Sequence, residues 1–306
     1  MPTPSKQDII DDLYYVLSSS ISDTRFYGAR VRGFRSELEF ANHVESRGYN
    51  LLVGGQFLFR KRDHRGNNRV LYVTVASEDH GRYVQLYDKL SHVPMVDDLF
   101  FMKLKPMESW GSKRIKAIVN GSRQEIEIPE PTYDLYKFVN SRFQNANISE
   151  IENLLEPKTV RVCAEKDRSL FAYMSGYPIE DLAQIYANRF FLDVCLGGYR
   201  KGMIDIDGII ANGNNFTLVE MKEKDAGGSG EDKFFGWDSR RLAWYLFLKI
   251  NGGIDSYYVI REVNNQTARE LVGWKYITID DFAKGTTWLS ERGSTVTAPY
   301  SLFSEI

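Results

Sequence analysis

Three carboxylates and one ammonium group fall close together in two apolar, β-patterned runs of this chain. Residues 203–210 read Met-Ile-Asp-Ile-Asp-Gly-Ile-Ile, and residues 216–224 read Phe-Thr-Leu-Val-Glu-Met-Lys-Glu-Lys. Alternate side chains of a strand point to opposite faces. Asp205 and Asp207 therefore share one face of the first run, and Glu220 and Lys222 share one face of the second. Between the runs lies Ala-Asn-Gly-Asn-Asn, whose Asn-Gly step is a hairpin signal. A hairpin here brings all four side chains to one spot that could hold a hard divalent cation beside an ammonium group. Magnesium takes oxygen ligands and binds through one or two carboxylates plus substrate phosphate. A bound metal acidifies water and polarises a phosphoryl oxygen. A neighbouring lysine could orient the attacking water or stabilise the pentavalent phosphorus. This set suffices to hydrolyse a phosphodiester, with no cysteine, histidine or organic cofactor. The bland alternative is a solvated, charged strand end at Glu-Met-Lys-Glu-Lys. Against it, acids half-buried at the end of apolar strands are costly unless paired or bound to metal.

Asp207, twelve residues, then Glu220-Met-Lys222 resembles the signature of the PD-(D/E)XK nuclease superfamily. That group includes type II restriction endonucleases, Holliday-junction resolvases and repair and phage exonucleases. The resemblance spans about 80 residues, roughly 180 to 262, and implies a mixed central sheet flanked by helices. Position by position, it implies metal binding by Asp207 and Glu220 and a catalytic role for Lys222. Ile206 stands where the named proline would be. Asp205 is an extra acid, either a further ligand or the true first one. An upstream acid is also implied, from Glu180 or Asp181, or from Glu37 or Glu39 farther back. A basic side chain from the following helix is implied as well, with Arg240 and Arg241 as candidates for DNA contact.

The elements needed to position these residues can be read around them. Pro178–Leu196 reads as a helix stopped by Gly197-Gly198, with Ile179, Leu182, Ala183, Tyr186 and Phe190 at helical spacing. Acids in its first turn, Glu180 and Asp181, are also simple dipole partners. Asp225–Asp232 has linker composition, and Phe234–Ile250 reads as a helix. Ser256–Arg261 and Trp274–Ile279 read as strands, followed by a short helix at Asp280.

The N-terminal half reads as mixed α/β. A helix is expected over Ser36–Arg47, a hairpin over Leu51–Arg62 and Val70–Ala76, and strands at Tyr83–Leu86, Ile115–Val119 and Gln124–Ile128. Helices are expected at Tyr133–Phe143 and Ile148–Leu155. A boundary near residue 157 would separate an N-terminal α/β lobe (1–157) from a catalytic domain (158–306). Basic clusters at Arg30/Arg32/Arg35, Arg60-Lys61-Arg62 and Lys113-Arg114 all lie in the first lobe. Each has a solvated charged face as its default reading, yet three together make a DNA-gripping lobe plausible. The net charge of −2 does not oppose this, because phosphate affinity depends on local patches.

With 306 residues and 43% apolar content, the chain can bury a full core. No apolar run approaches a membrane span, and the first residues lack an apolar signal core. Two cysteines, Cys163 and Cys195, point to a reducing, cytoplasmic setting rather than a disulfide scaffold. The four histidines show no zinc-site spacing. The expectation is a magnesium-dependent endodeoxyribonuclease of restriction type, acting on double-stranded DNA as a homodimer. The alternatives are a nuclease with another task or an inactive DNA-binding protein.

Overall fold

The computed structural model describes residues 3–18, 24–60, 69–119, 122–151, 168–196, 203–213, 215–286 and 295–306. The first half begins with helices α1 (Lys6–Ser18) and α2 (Thr24–Glu45) and strands β1 (Asn50–Val53), β2 (Gly55–Arg60) and β3 (Arg69–Ala76). It continues with α3 (Val84–Ser91), β4 (Val96–Leu104), β5 (Gly111–Val119), β6 (Ser122–Glu130), β7 (Tyr133–Val139) and β8 (Arg142–Asn145). The second half holds α4 (Ile179–Arg189), β9 (Met203–Asp205), β10 (Gly208–Asn212), β11 (Asn215–Lys224) and β12 (Phe234–Asp238). Then come α5 (Ser239–Gly252), β13 (Asp255–Val263), β14 (Leu271–Thr278), α6 (Ile279–Gly285), β15 (Thr295–Pro299) and β16 (Ser304–Glu305).

The chain is a mixed α/β protein built on two six-stranded mixed sheets flanked by helices. The first sheet runs β1-β10-β11-β13-β14-β16, with β11 and β13 parallel. The second runs β8-β7-β4-β3-β2-β9, with β3 and β4 parallel. Strand alternation divides the core. Leu58, Leu71, Val73 and Phe100 of the second sheet face α1, α4 and part of α2. Phe57, Tyr72 and Phe101 turn the other way, into a core shared with α3, α5, α6 and the Leu218, Tyr258 and Ile260 face of the first sheet. The opposite face of that sheet, Val219, Met221, Val259 and Trp274, is covered by Phe40 and Val44 of α2.

Strands from both sides of residue 157 share each large sheet: β1 pairs with β10, and β2 pairs with β9. A division there would cut both sheets, and residue 157 itself lies outside the described residues. Among the described residues the chain crosses directly from one six-stranded sheet to the other at Gly54, between β1 and β2, and at Ile206-Asp207, between β9 and β10. The two switches touch. The Ile206 amide donates to the Gly55 carbonyl at 2.7 Å, and a Cβ on Gly54 would meet the Ile206 carbonyl oxygen at 1.8 Å. Only glycine admits this crossing.

Several expected elements differ. The 203–210 run is two strands in two sheets rather than one, so the hairpin is β10–β11, turning at Gly213 with φ +58°. Tyr83–Leu86 is helical, because Asp79 accepts from the Gly81 amide and starts a turn that leads into α3. Tyr133–Phe143 is a hairpin, because Asn140 and Ser141 both adopt positive φ, the geometry of a primed turn. Phe234–Asp238 is a strand paired with β15, and α5 starts only after it. The predicted α4 helix is found, continuing as a π-helical turn over Phe190–Cys195. Strands β13 and β14, the β5–β6 ribbon and α6 lie where the sequence places them. Of the expected helix at Ile148–Leu155, only a short 3-10 turn at Ile148–Glu150 is described. No described helix is long and apolar enough to cross a membrane.

Candidate active site

The sheet switch at Ile206-Asp207 places Asp207 beside β11. Its amide donates to the Val219 carbonyl at 3.1 Å, and its carboxylate accepts from the Met221 amide at 2.7 Å. Glu220 and Lys222 flank Met221 on the same face of β11, and the Lys222 ammonium lies 2.6 Å from Glu220 Oε1 and 3.6 Å from Asp207 Oδ2. Asp205 enters from β9. The sequence-derived quartet therefore converges, although through two sheets rather than a single hairpin.

A second cation closes the group. Asp238 accepts from the Arg240 and Arg241 amides at 3.0 Å each and caps α5. Arg241 then reaches back, donating to Glu220 Oε2 at 2.9 Å, to the Asp205 carbonyl at 3.1 Å and to the Asp205 carboxylate. One turn on, the Tyr245 hydroxyl donates to the same Glu220 oxygen at 3.2 Å. Glu220 is fully buried, so these donors replace the water it has lost. From α2, Arg30 stands 3.8 Å from Asp205. Glu37, two helical turns along the same face, lines a small cavity with Asp205 and Asp207.

The charges are unevenly protonated. Burial pushes the Glu37 carboxyl up to about 8, with the Asp207 charge adding to it and Arg189 opposing. Burial likewise lifts Asp207 to about 7; Lys222 opposes, while Glu220 and Asp205 add. Burial also acts upward on Asp205, but Arg241, Arg30 and Lys222 outweigh it and hold that carboxyl well below the usual range. Burial disfavours the Lys222 ammonium, yet Asp207 and Glu220 raise it above the ordinary lysine value. Asp207 and Lys222 thus pull opposite ways in one contact. Burial decides for the carboxyl, and the Glu220 oxygen at 2.6 Å keeps the amine charged. Lys224, buried beside Lys222, is lowered to about 8.

Among the described residues, no three His, Cys, Asp or Glu side chains already stand at metal-binding separations. Arg241 and Lys222 hold the acids in ion pairs. The donor set nonetheless suits a hard cation. The cavity, about 50 Å³, is lined by Glu37, Asp205 and Asp207 together with Gln56 and Asn188. Gln56 Oε1 and Asn188 Oδ1 are buried there without a hydrogen-bond partner. Orphaned carbonyl-type oxygens beside carboxylates are what magnesium or calcium ligation uses. A cation could take up these oxygens once Arg241 or Lys222 yields.

Of the other expected site residues, Glu180 is exposed at the start of α4. That helix reaches the cavity through Ile185, Asn188 and Arg189; Arg189 is roughly 13 Å further along the axis. Glu39 turns to Arg35 and Arg261 instead. Arg240 is exposed and lines an apolar groove with Phe59, Trp244 and Phe247. Lys113 pairs with Glu130 at 3.4 Å within the β5–β6 ribbon, where Arg114 is exposed. That ribbon is separate from the two sheets that carry the acids. Arg60 ends β2, while Lys61 and Arg62 lie outside the described residues, as does Cys163. Cys195 is a buried free thiol, pushed up to about 12 by burial. Sequence reasoning missed Gln56, Asn188, Arg189 and Tyr245. The spacing of Arg241 and Tyr245, four apart on one helix, was the available signal for the last.

No protein-family model matches the chain, and no curated protein matches it. Among solved structures it is similar to Hjc, a Holliday junction resolvase from Archaeoglobus fulgidus, at 12% identity. The match covers 33% of this chain and 69% of that one, with a TM-score of 0.22. A likeness this slight does not define the fold, which rests on the sheets described above.

Proposed function

We propose that this chain is a magnesium-dependent nuclease of the PD-(D/E)XK type that hydrolyses phosphodiester bonds in double-stranded DNA. The observation that carries the reading is the convergence of Asp207, Glu220 and Lys222 at the sheet switch, with Asp205 and Glu37 beside them. Asp207, Glu220 and Glu37 would hold the cation, with Gln56 and Asn188 as neutral oxygen donors. A cation held there would supply an acidified water and neutralise charge on the phosphoryl oxygens. Lys222 is held charged at the edge of the group, with 39% of its side chain exposed. In this reading it would orient the attacking water or meet charge developing on the phosphate. Asp205 keeps Arg241 and Arg30 in place, so it serves better as an anchor for cations than as a ligand.

The finer reading is a site-specific type II restriction endonuclease that works as a homodimer and leaves 5′-phosphate ends. Digestion of plasmid DNA in magnesium, with the ends mapped, tests it. Discrete bands with fixed termini support site-specific cutting. A smear, or a preference for branched DNA, assigns the same chemistry to a structure-selective, phage-defence or exonucleolytic task. One observation favours a second reading, a DNA-binding protein without catalysis: Arg241 already spans Asp205 and Glu220. Metal-independent DNA binding with no cleavage in any divalent ion would establish that alternative.

A further inference from the structure

Behind the candidate site, on the other face of β11, lies a charged network that the proposed chemistry does not use. Glu223 follows Lys222 and points oppositely, opposite Arg261 in the parallel β11–β13 register. Arg261 is buried and donates to Glu39 at 2.6 Å and to Glu223 at 3.1 Å. Arg269, in the turn between β13 and β14 with φ +52°, donates to Glu223 as well, at 2.5 Å. From α2, Arg32 reaches Glu223 at 3.4 Å and Arg35 reaches Glu39 at 2.6 Å. Four guanidinium groups therefore share two carboxylates, leaving a local charge of +2 (four minus two). The neighbouring Glu270 is engaged by the Asn264 amide at 2.6 Å instead.

Arg32 and Arg269 converge on the same Glu223 oxygen. Partial burial lowers the Arg32 pKa, the Arg269 charge adds to that, and Glu223 opposes both. Glu223 is the anion that joins them, and because four guanidinium groups share only two carboxylates, a further anion on the outward side would offset the remaining repulsion. Arg32 keeps 34% and Arg35 43% of its side chain exposed, so the outward side of the cluster can reach solution. Guanidinium forks are suited to the paired oxygens of a phosphodiester.

We propose that Arg32, Arg35 and Arg269 form a seat for a backbone phosphate of the nucleic-acid substrate, on the sheet face opposite Lys222. The inference rests on the nuclease reading for its ligand but not on catalysis. It is tested by titrating salt against binding of a short fluorescent DNA duplex in EDTA, comparing wild type with R32Q/R269Q and R32K/R269K. Loss of one phosphate contact lowers the salt slope of log affinity by about 0.9. The glutamine variant is expected to show that drop, with affinity falling about tenfold, while the lysine variant keeps the wild-type slope. Hydrolysis of bis(4-nitrophenyl) phosphate in magnesium, a diester too small to span both places, should stay at the wild-type rate in all variants. An unchanged slope in the glutamine variant overturns the proposal, as does an equal loss of small-diester hydrolysis. A wild type that binds DNA with the expected slope difference but cleaves neither substrate leaves the phosphate seat standing and removes the nuclease reading.

Discussion

The Asp207 carboxylate accepts a 2.7 Å hydrogen bond from the Met221 amide. This bond fixes an acid from one side of a sheet switch against the strand segment that carries Glu220 and Lys222. Asp207→Asn keeps an acceptor for that amide and removes the charge. We expect the variant to melt near the wild-type temperature while DNA cleavage falls about 100-fold or more. Thermal unfolding together with single-turnover cleavage checks this. Cleavage within a few-fold of wild type would take Asp207 out of the chemistry.

The raised carboxyls set a pH dependence. Asp207 at about 7 and Glu37 at about 8 must lose their protons before a cation can use them. Metal affinity, and cleavage at limiting magnesium, should therefore rise through pH 7–8 and fall below it. Both groups bind protons more tightly folded than unfolded, so the metal-free protein loses stability as pH rises from about 4 toward about 8. Asp205, shifted downward, acts oppositely, and its contribution is lost only in strong acid. Calorimetric magnesium titrations at several pH values check the first point. Glu37→Gln should remove the upper part of the rise.

Arg241 holds two acids in the absence of metal. Removing one partner of a buried ion pair costs about 3–5 kcal/mol, and Glu220 is fully buried. Arg241→Ala should therefore destabilise the metal-free protein by about that amount, with part of the loss restored by magnesium taking the guanidinium's place. Denaturant unfolding with and without magnesium measures the difference. A loss of the same size in both conditions would mean that no cation enters where the arginine was.

Gly54→Ala should be disruptive although it adds only a methyl group, because the new Cβ would fall 1.8 Å from the Ile206 carbonyl oxygen. Backbone atoms cannot swing aside as a side chain end can, so the sheet switch must open. The expected cost is at least the usual overpacking penalty of about 1–3 kcal/mol, accompanied by loss of cleavage as Asp207 moves. Denaturant midpoints and activity read both.

The local part of the site was legible because it depends on short-range rules. Asn-Gly marks the β10–β11 turn, and alternation puts Glu220 and Lys222 on one face. Alternation also paired Asp205 with Asp207, yet Ile206 is where the chain leaves one sheet for the other. A switch of this kind is set by its distant partner, Gly54, and carries no local signature. The same limit hid the interleaving of the two halves, since β1 and β9 find partners about 150 residues away along the chain. Tyr133–Phe143 misled for another reason: its aromatic spacing fits a helix as well as a strand, and the Asn140-Ser141 turn decides. Arg241 was one of two adjacent candidates, and only the Asp238 cap and the helix phase single it out.

The most direct measurement is magnesium-dependent cleavage of plasmid and phage DNA by the purified chain, beside a Glu220→Ala/Lys222→Ala double variant that still folds. The wild type is expected to cut DNA in a reaction that EDTA abolishes and the variant lacks. A variant that cuts as fast as its parent, or a wild type that leaves every DNA intact whichever divalent ion is supplied, would remove the nuclease reading.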